Sequence, residues 1–163
     1  MSTVQIFPHP ERPGVQRLAC EIMLPRPIDD VFEFFGDAAQ LQTLTPDWLH
    51  FQIITPLPIV MEPGRLIDYR IRLHGVPIGW RTEIAAWEPP LRFVDQQLRG
   101  PYRLWHHEHR FESTATGTRV IDIVDYRVPG GWLIDRLFVR RDLRRIFEYR
   151  HHKLEELLGT TNE

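Results

Sequence analysis

Between residues 65 and 128 apolar and polar side chains alternate in five runs, 65–73, 78–87, 91–98, 102–112 and 118–128. A period of two sends successive side chains to opposite faces of a strand, so each run predicts a half-buried β-strand. The runs are parted by His74-Gly75-Val76-Pro77, Glu88-Pro89-Pro90, Gly100-Pro101 and the stretch 113–117. Separators this short join antiparallel neighbours as hairpins.

Upstream, the apolar residues of 15–24 stop at Pro25 and predict a first strand. Pro27 followed by Val31, Phe32, Phe34 and Phe35, with Asp29, Asp30 and Glu33 near the positive helix end, predicts a short helix closing near Gly36. Asp37 then caps a second short helix that reaches Leu44 and stops at Pro46, and a strand is expected at 51–55. The segment 131–158 has no proline, no glycine after its first residue, and many Arg, Leu and Glu residues, which predicts one long helix.

Neighbouring strands must agree about which face is buried. Turning the chain at 113–117 sets Phe111 opposite Val120, His109 by Asp122, His107 by Val124 and Trp105 by Tyr126. Turning at Gly100-Pro101 brings Gln97, Asp95 and Phe93 to that same face, the Pro89 turn adds Ile84 and Thr82, and the Gly75 turn sets Ile71, Tyr69 and Ile67 across from Trp80, Thr82 and Ile84. Asp68, Arg70, Arg72, Arg81, Glu83, Arg92, Gln96, His106, Glu108, Arg110, Asp125 and Arg127 fall on the other face, which must meet water. On the long helix, Trp132, Arg136, Val139, Leu143, Ile146, Phe147, Arg150, Leu154 and Leu157 form the stripe facing the sheet. The expected architecture is α+β: a curved antiparallel sheet of six or seven strands around a long C-terminal helix, with two short helices after the first strand. One domain covers 15–158, preceded by an irregular lead-in at 1–14 and followed by a tail at 159–163.

A chain of 163 residues, 42% of them apolar, suits one such domain. The net charge of -2 offers no general attraction to nucleic acid, and no apolar stretch is long enough to enter and span a bilayer. A single cysteine, Cys20, cannot form an internal disulfide, so a cytoplasmic setting is the expectation.

Several strings add a resemblance: Leu24-Pro25-Arg26-Pro27 with Val31-Phe32-Glu33-Phe34-Phe35, Trp80-Arg81-Thr82-Glu83-Ile84, Trp87-Glu88-Pro89-Pro90, Phe93-Val94-Asp95, Gly100-Pro101-Tyr102, the run from Trp105 to Phe111, Asp122, and Ile146-Phe147-Glu148-Tyr149-Arg150. In these and in element order the chain resembles the START-like, Bet v 1-like SRPBCC superfamily, and within it bacterial ligand-binding proteins related to polyketide cyclase/dehydrase and lipid-transport domains. The resemblance implies a helix-grip fold with a hydrophobic cavity between sheet and helix. It also implies either passive carriage of an apolar or amphipathic small molecule or cyclase/dehydratase chemistry on a polyketide-like substrate, since one fold serves both.

The inner sheet face supplies the candidate ligand-binding residues Tyr69, Trp80, Thr82, Phe93, Asp95, Gln97, Trp105, His107, His109, Asp122 and Tyr126, and the helix adds Phe147 and Arg150. Were the protein an enzyme, His107 or His109 would act as acid/base with Asp122 orienting the ring. Binding is the preferred reading, with a regulatory interaction module using the arginine-rich helix face as a further alternative. His106-His107-Glu108-His109 invites a metal reading, but alternation sends His106 and Glu108 outward and leaves two inner imidazoles with Asp122 as a third group, so no metal is expected. No cofactor is expected either, because no phosphate-binding glycine loop is present. An inward aspartate needs a partner, and Arg150 is expected to pair with Asp95 or Asp122. His151-His152 is read as a solvated pair and Cys20 as buried and inert.

Overall fold

A computed structural model describes residues 3–159; the last four residues of the expected tail lie outside that range. The chain folds as β1 (Gln5–Pro8), β2 (Gln16–Leu24), α1 (Ile28–Gly36), α2 (Gln40–Thr43), a 3-10 turn (Asp47–Leu49), β3 (Gln52–Ile53), β4 (Leu66–Leu73), β5 (Val76–Glu88), β6 (Arg92–Arg99), β7 (Leu104–Thr114), β8 (Gly117–Arg127), α3 (Gly131–Ile134), a π turn (Asp135–Val139) and α4 (Arg140–Leu158). The eight strands form one antiparallel sheet in the order β1-β2-β8-β7-β6-β5-β4-β3. It curves around the long C-terminal helix, as the helix-grip expectation requires.

The lead-in contains a strand where irregular chain is expected. Gln5–Pro8 pairs with Ala19–Gln16 and adds an edge to the sheet, with Val4 buried and Ile6 packed on the cluster around Leu18 and Cys20. Four residues are too few for a periodic signal, and Pro8 is tolerated because it ends an edge strand.

Strands β7 and β8 pair with Phe111 opposite Val120, His109 opposite Asp122, His107 opposite Val124 and Trp105 opposite Tyr126, the register derived from their turn. The β4–β5 hairpin is tighter than the four-residue separator suggests. His74 and Gly75 both take positive φ, giving a two-residue turn that moves Tyr69 to Trp80 and Ile67 to Thr82. A slip of two residues leaves every side chain on its predicted face. A bulge between Ile84 and Ala86 then turns Trp87 inward, where its ring meets Phe32 at 5.0 Å and Phe93 at 5.3 Å.

The helix stripe holds only in α4, where Leu143, Phe147, Arg150 and Leu154 are buried. Trp132 and Arg136 are exposed, against expectation, and so is Leu157 at the other end. The π turn explains the first two: one extra residue per turn rotates all that precedes it by about 100°. Asp135 alone in that turn is buried, accepting a 2.8 Å hydrogen bond from Tyr126 Oη and one of 2.7 Å from Arg140 Nε. Among the described residues no helix is long and apolar enough to cross a membrane.

The β7–β8 turn depends on Gly117, whose φ is 144° and whose added Cβ would sit 2.1 Å from the Leu24 carbonyl oxygen. Gly75 has φ of 82° and open space around it. Gly75→Ala should therefore cost only the backbone strain, about 1–2 kcal/mol. Gly117→Ala adds a clash with backbone and should cost about 3 kcal/mol or more, read from urea unfolding midpoints; equal losses would contradict the packing described.

Candidate functional site

Buried side chains between sheet and helices divide into two apolar clusters. One gathers Phe32, Phe35, Phe93, Phe111 and Leu154; the other gathers Leu18, Val124, Tyr126, Leu143 and Phe147. Both clusters draw on successive inward positions of β7, β8 and α4, and the positions between them are polar: His107 and His109 on β7, Asp122 on β8, Arg150 on α4, with Asp95 on β6. Beside this layer lies a cavity of about 180 Å³.

Ten of the thirteen predicted residues line it: Tyr69, Trp80, Thr82, Phe93, Asp95, Trp105, His107, His109, Phe147 and Arg150. Three do not. Gln97 is committed to the β6–β7 connection, donating to the Tyr102 carbonyl at 2.7 Å and accepting from the Tyr102 amide at 3.1 Å. Tyr126 is fully buried with its hydroxyl on Asp135. Asp122 is also fully buried and reaches the cavity only through the histidines it holds. Alternation assigns these residues to the inner face correctly, but it cannot say which inner residues meet space and which meet other side chains.

The opposite wall comes from segments that strand parity cannot place. Phe35, Leu41 and Leu44 of the short-helix region, Phe51, and Met61 of the β3–β4 connection close the cavity, and Leu143 and Ile146 of α4 contribute from the helix. The apolar spacing of the two short helices shows that they bury a face, not what that face covers. Aromatic packing holds the sheet wall: Trp80 stacks on Tyr69 at 5.6 Å and meets Trp105 edge-on at 5.5 Å, and Tyr69 Oη lies 3.2 Å from Thr82 Oγ1.

At the polar layer, Asp122 Oδ1 lies 2.8 Å from His107 Nε2 and 3.0 Å from His109 Nδ1, the second contact being out of line for a full hydrogen bond. A carboxylate only accepts, so His107 Nε2 carries hydrogen. The remaining nitrogens turn toward Asp95 Oδ2, His109 Nε2 at 2.7 Å and His107 Nδ1 at 3.7 Å. His109 thus lies between two carboxylates, hydrogen-bonded to Asp95 and in ionic contact with Asp122, while His107 is hydrogen-bonded to Asp122 alone.

Charge follows this geometry. Burial opposes ionisation of His109, but hydrogen bonds and charge from Asp122 and Asp95 outweigh it and raise its pKa. His107 is lowered, first by burial and then by the charge on His109. Burial alone would raise Asp122, yet Arg150 and the two histidines hold it well below the usual carboxylate range. Asp95 is lowered too, His107 and His109 outweighing its burial.

Arg150 takes Asp122 rather than Asp95 as its ion-pair partner, with Nε 3.9 Å from Oδ2 and the guanidinium 5.2 Å above the Phe35 ring. His151 is buried, not solvated, and neither of its ring nitrogens has a hydrogen-bond partner among the described residues. It faces Cys20, whose thiol is pushed up by burial, on the far side of Asp122. His152 is exposed.

An antiparallel sheet gripping a C-terminal helix, with a cavity between them, defines the START-like, Bet v 1-like class. Solved structures agree in fold. A protein from Thermus thermophilus, TTHA0849, aligns with TM-score 0.67 at 18% identity, covering 89% of this chain and 99% of its own. Ginseng major latex-like protein 151 from Panax ginseng aligns with TM-score 0.66 at 12% identity over 90% and 99%. Protein CV1439 from Chromobacterium violaceum aligns with TM-score 0.69 at 14% identity over 89% and 99%. No curated protein matches the chain. Residues 24–155 match the family described as polyketide cyclase / dehydrase and lipid transport, and the chain belongs to it.

The Arg150–Asp122 pair gives a direct test of the layer. Arg150→Met strands a fully buried carboxylate and should cost about 3–5 kcal/mol in thermal or urea unfolding. Adding Asp122→Asn should restore part of the loss, because the stranded charge is gone. An Arg150→Met protein as stable as the parent would show that the pair does not bear on folding.

Proposed function

We propose that the protein binds an apolar or amphipathic small molecule in this cavity, its apolar body against Trp80, Trp105 and Phe147 and its polar end toward Asp95, His107 and Arg150. The observation that carries this reading is the composition of the wall: large apolar side chains line most of it, Asp95, His107, His109 and Arg150 gather on one side, and the remaining charged group, Asp37, is exposed on the short-helix side. Such a distribution fixes which end of a ligand goes in first, because only a polar end can replace the water that the charged floor attracts. The family description, which names lipid transport beside cyclase and dehydrase activity, agrees with it.

His109, flanked by two carboxylates, suits a fixed charged floor for binding, whereas His107 Nδ1 has no hydrogen-bond partner and is the nitrogen through which the alternative acid/base chemistry would run. A general acid/base needs a nitrogen free to exchange a proton with substrate, and binding needs only that the floor stay charged and fixed.

Titration with fatty acids, isoprenoid alcohols and aromatic polyketides, followed by tryptophan fluorescence and native mass spectrometry, should give one ligand per chain and perturb Trp80 and Trp105. Trp105→Ala should weaken uptake at least tenfold while circular dichroism stays unchanged. Leu73→Trp, which adds bulk to the cavity wall, should weaken it more. A protein that takes up none of these classes refutes the reading.

A further inference from the structure

We propose that Asp95, His107 and His109 form a site for a divalent transition-metal ion on the floor of the cavity, with Asp122 as the outer carboxylate behind both imidazoles. The ligand atoms of the three residues lie within 4.8 Å of one another. Groups bound about 2.0–2.2 Å from one ion stand about 3–3.5 Å apart, and the distances to Asp95 Oδ2, 2.7 Å from His109 Nε2 and 3.7 Å from His107 Nδ1, fall on either side of that spacing. Alternation along β7 puts both imidazoles on one face, and pairing of Asp95 with His107 brings the carboxylate to them from β6.

Orientation of the rings strengthens the assignment. Metal-bound imidazoles carry their other N–H on a carboxylate or carbonyl, which fixes the tautomer and aims the lone pair at the ion. Asp122 does this for His107, whose Nε2 hydrogen bond to Oδ1 leaves the lone pair on Nδ1, toward Asp95; the same oxygen lies 3.0 Å from His109 Nδ1, on the side of that ring away from Asp95. Without an ion, His109 Nε2 must carry a proton to approach a carboxylate at 2.7 Å. A bound ion takes that proton's place, and one proton leaves for solvent as the ion enters. Two imidazoles and one carboxylate suit zinc, ferrous iron or cobalt, and their placement on the cavity wall leaves further coordination positions open to a ligand oxygen. Arg150, the other charge facing this floor, is already matched to the far oxygen of Asp122.

A second group, Cys20, Asp122 and His151, lies across Asp122 and provides the control. Chelator-stripped, ligand-free protein is titrated with zinc by calorimetry and with cobalt by absorption spectroscopy. The parent should bind one ion per chain, and its cobalt spectrum should lack a sulfur charge-transfer band. Asp95→Ala and His107→Ala should weaken binding at least 100-fold, and the isosteric Asp95→Asn should do so without disturbing packing. Asp122→Asn should weaken it about 10–100-fold. Cys20→Ala and His151→Ala should leave it unchanged. Zinc should raise the melting temperature of the parent and not of Asp95→Asn. Absence of one-to-one binding, binding that survives Asp95→Asn, or a sulfur band that disappears in Cys20→Ala would overturn the assignment. Because no organic ligand enters the measurement, failure here leaves the binding function of the cavity standing.

Discussion

The Asp122 carboxylate, fully buried in the middle of the sheet, is the constraint on which the interior is organised. An isolated ionised carboxylate in an apolar setting costs far more than a domain's whole stability, so its neighbours are not free to vary. β2 places Cys20 beside it, β7 places His109 opposite it, and α4 must bring Arg150 over it. The helix therefore has one acceptable rotation on the sheet. Apolar packing of Leu143, Phe147 and Leu154 would tolerate small slips, since any hydrophobic surface accepts another; a cation that must meet one carboxylate would not.

Such a layer is costly. Five ionisable groups interrupt a core that could have been continuous, and buried ion pairs seldom stabilise a fold more than well-packed apolar residues of the same volume. The outer face shows how charges are used when only solubility is required. Arg81 meets Asp68 and Arg92 meets Glu108, each at 2.7 Å on the outer face, where a solvent-exposed pair contributes about 0–1 kcal/mol. The inner charges serve something other than stability. Four of the five, Asp95, His107, His109 and Arg150, stand on the wall of the cavity.

How much of this the sequence reveals depends on whether a feature is local. The inner face of β4 to β8 follows from alternation and turn length, and even the two-residue slip in the β4–β5 hairpin preserves it. His109 opposite Asp122 is readable for the same reason. Features set by distant packing are not readable. β1 is a strand because β2 offers it an edge, and the exposed Trp132 follows from a π turn that no periodic pattern announces. Arg150 interrupts an apolar stripe and so demands a carboxylate, but both Asp95 and Asp122 face inward, and only the height of α4 over the sheet selects Asp122. His151 is hidden in another way: beside His152 near a helix end, it looks solvated until the packing of α4 against β2 is known.

Exposure within the polar layer increases in steps. The Asp122 and His109 side chains are 1% and 4% exposed, His107 is 7% and Asp95 is 20%. Charge is anchored at the deepest point, and the two rings stand between it and Asp95. Asp122 cannot change without disturbing helix, sheet and both histidines together, whereas Asp95 contacts the rings from the cavity side and lies on the wall itself. The layer thus separates what fixes the fold from what lines the cavity. A change at Asp95 or on the aromatic wall therefore alters the cavity surface while leaving the deeper carboxylate and its contacts to helix and sheet in place, so the frame itself does not dictate one chemistry.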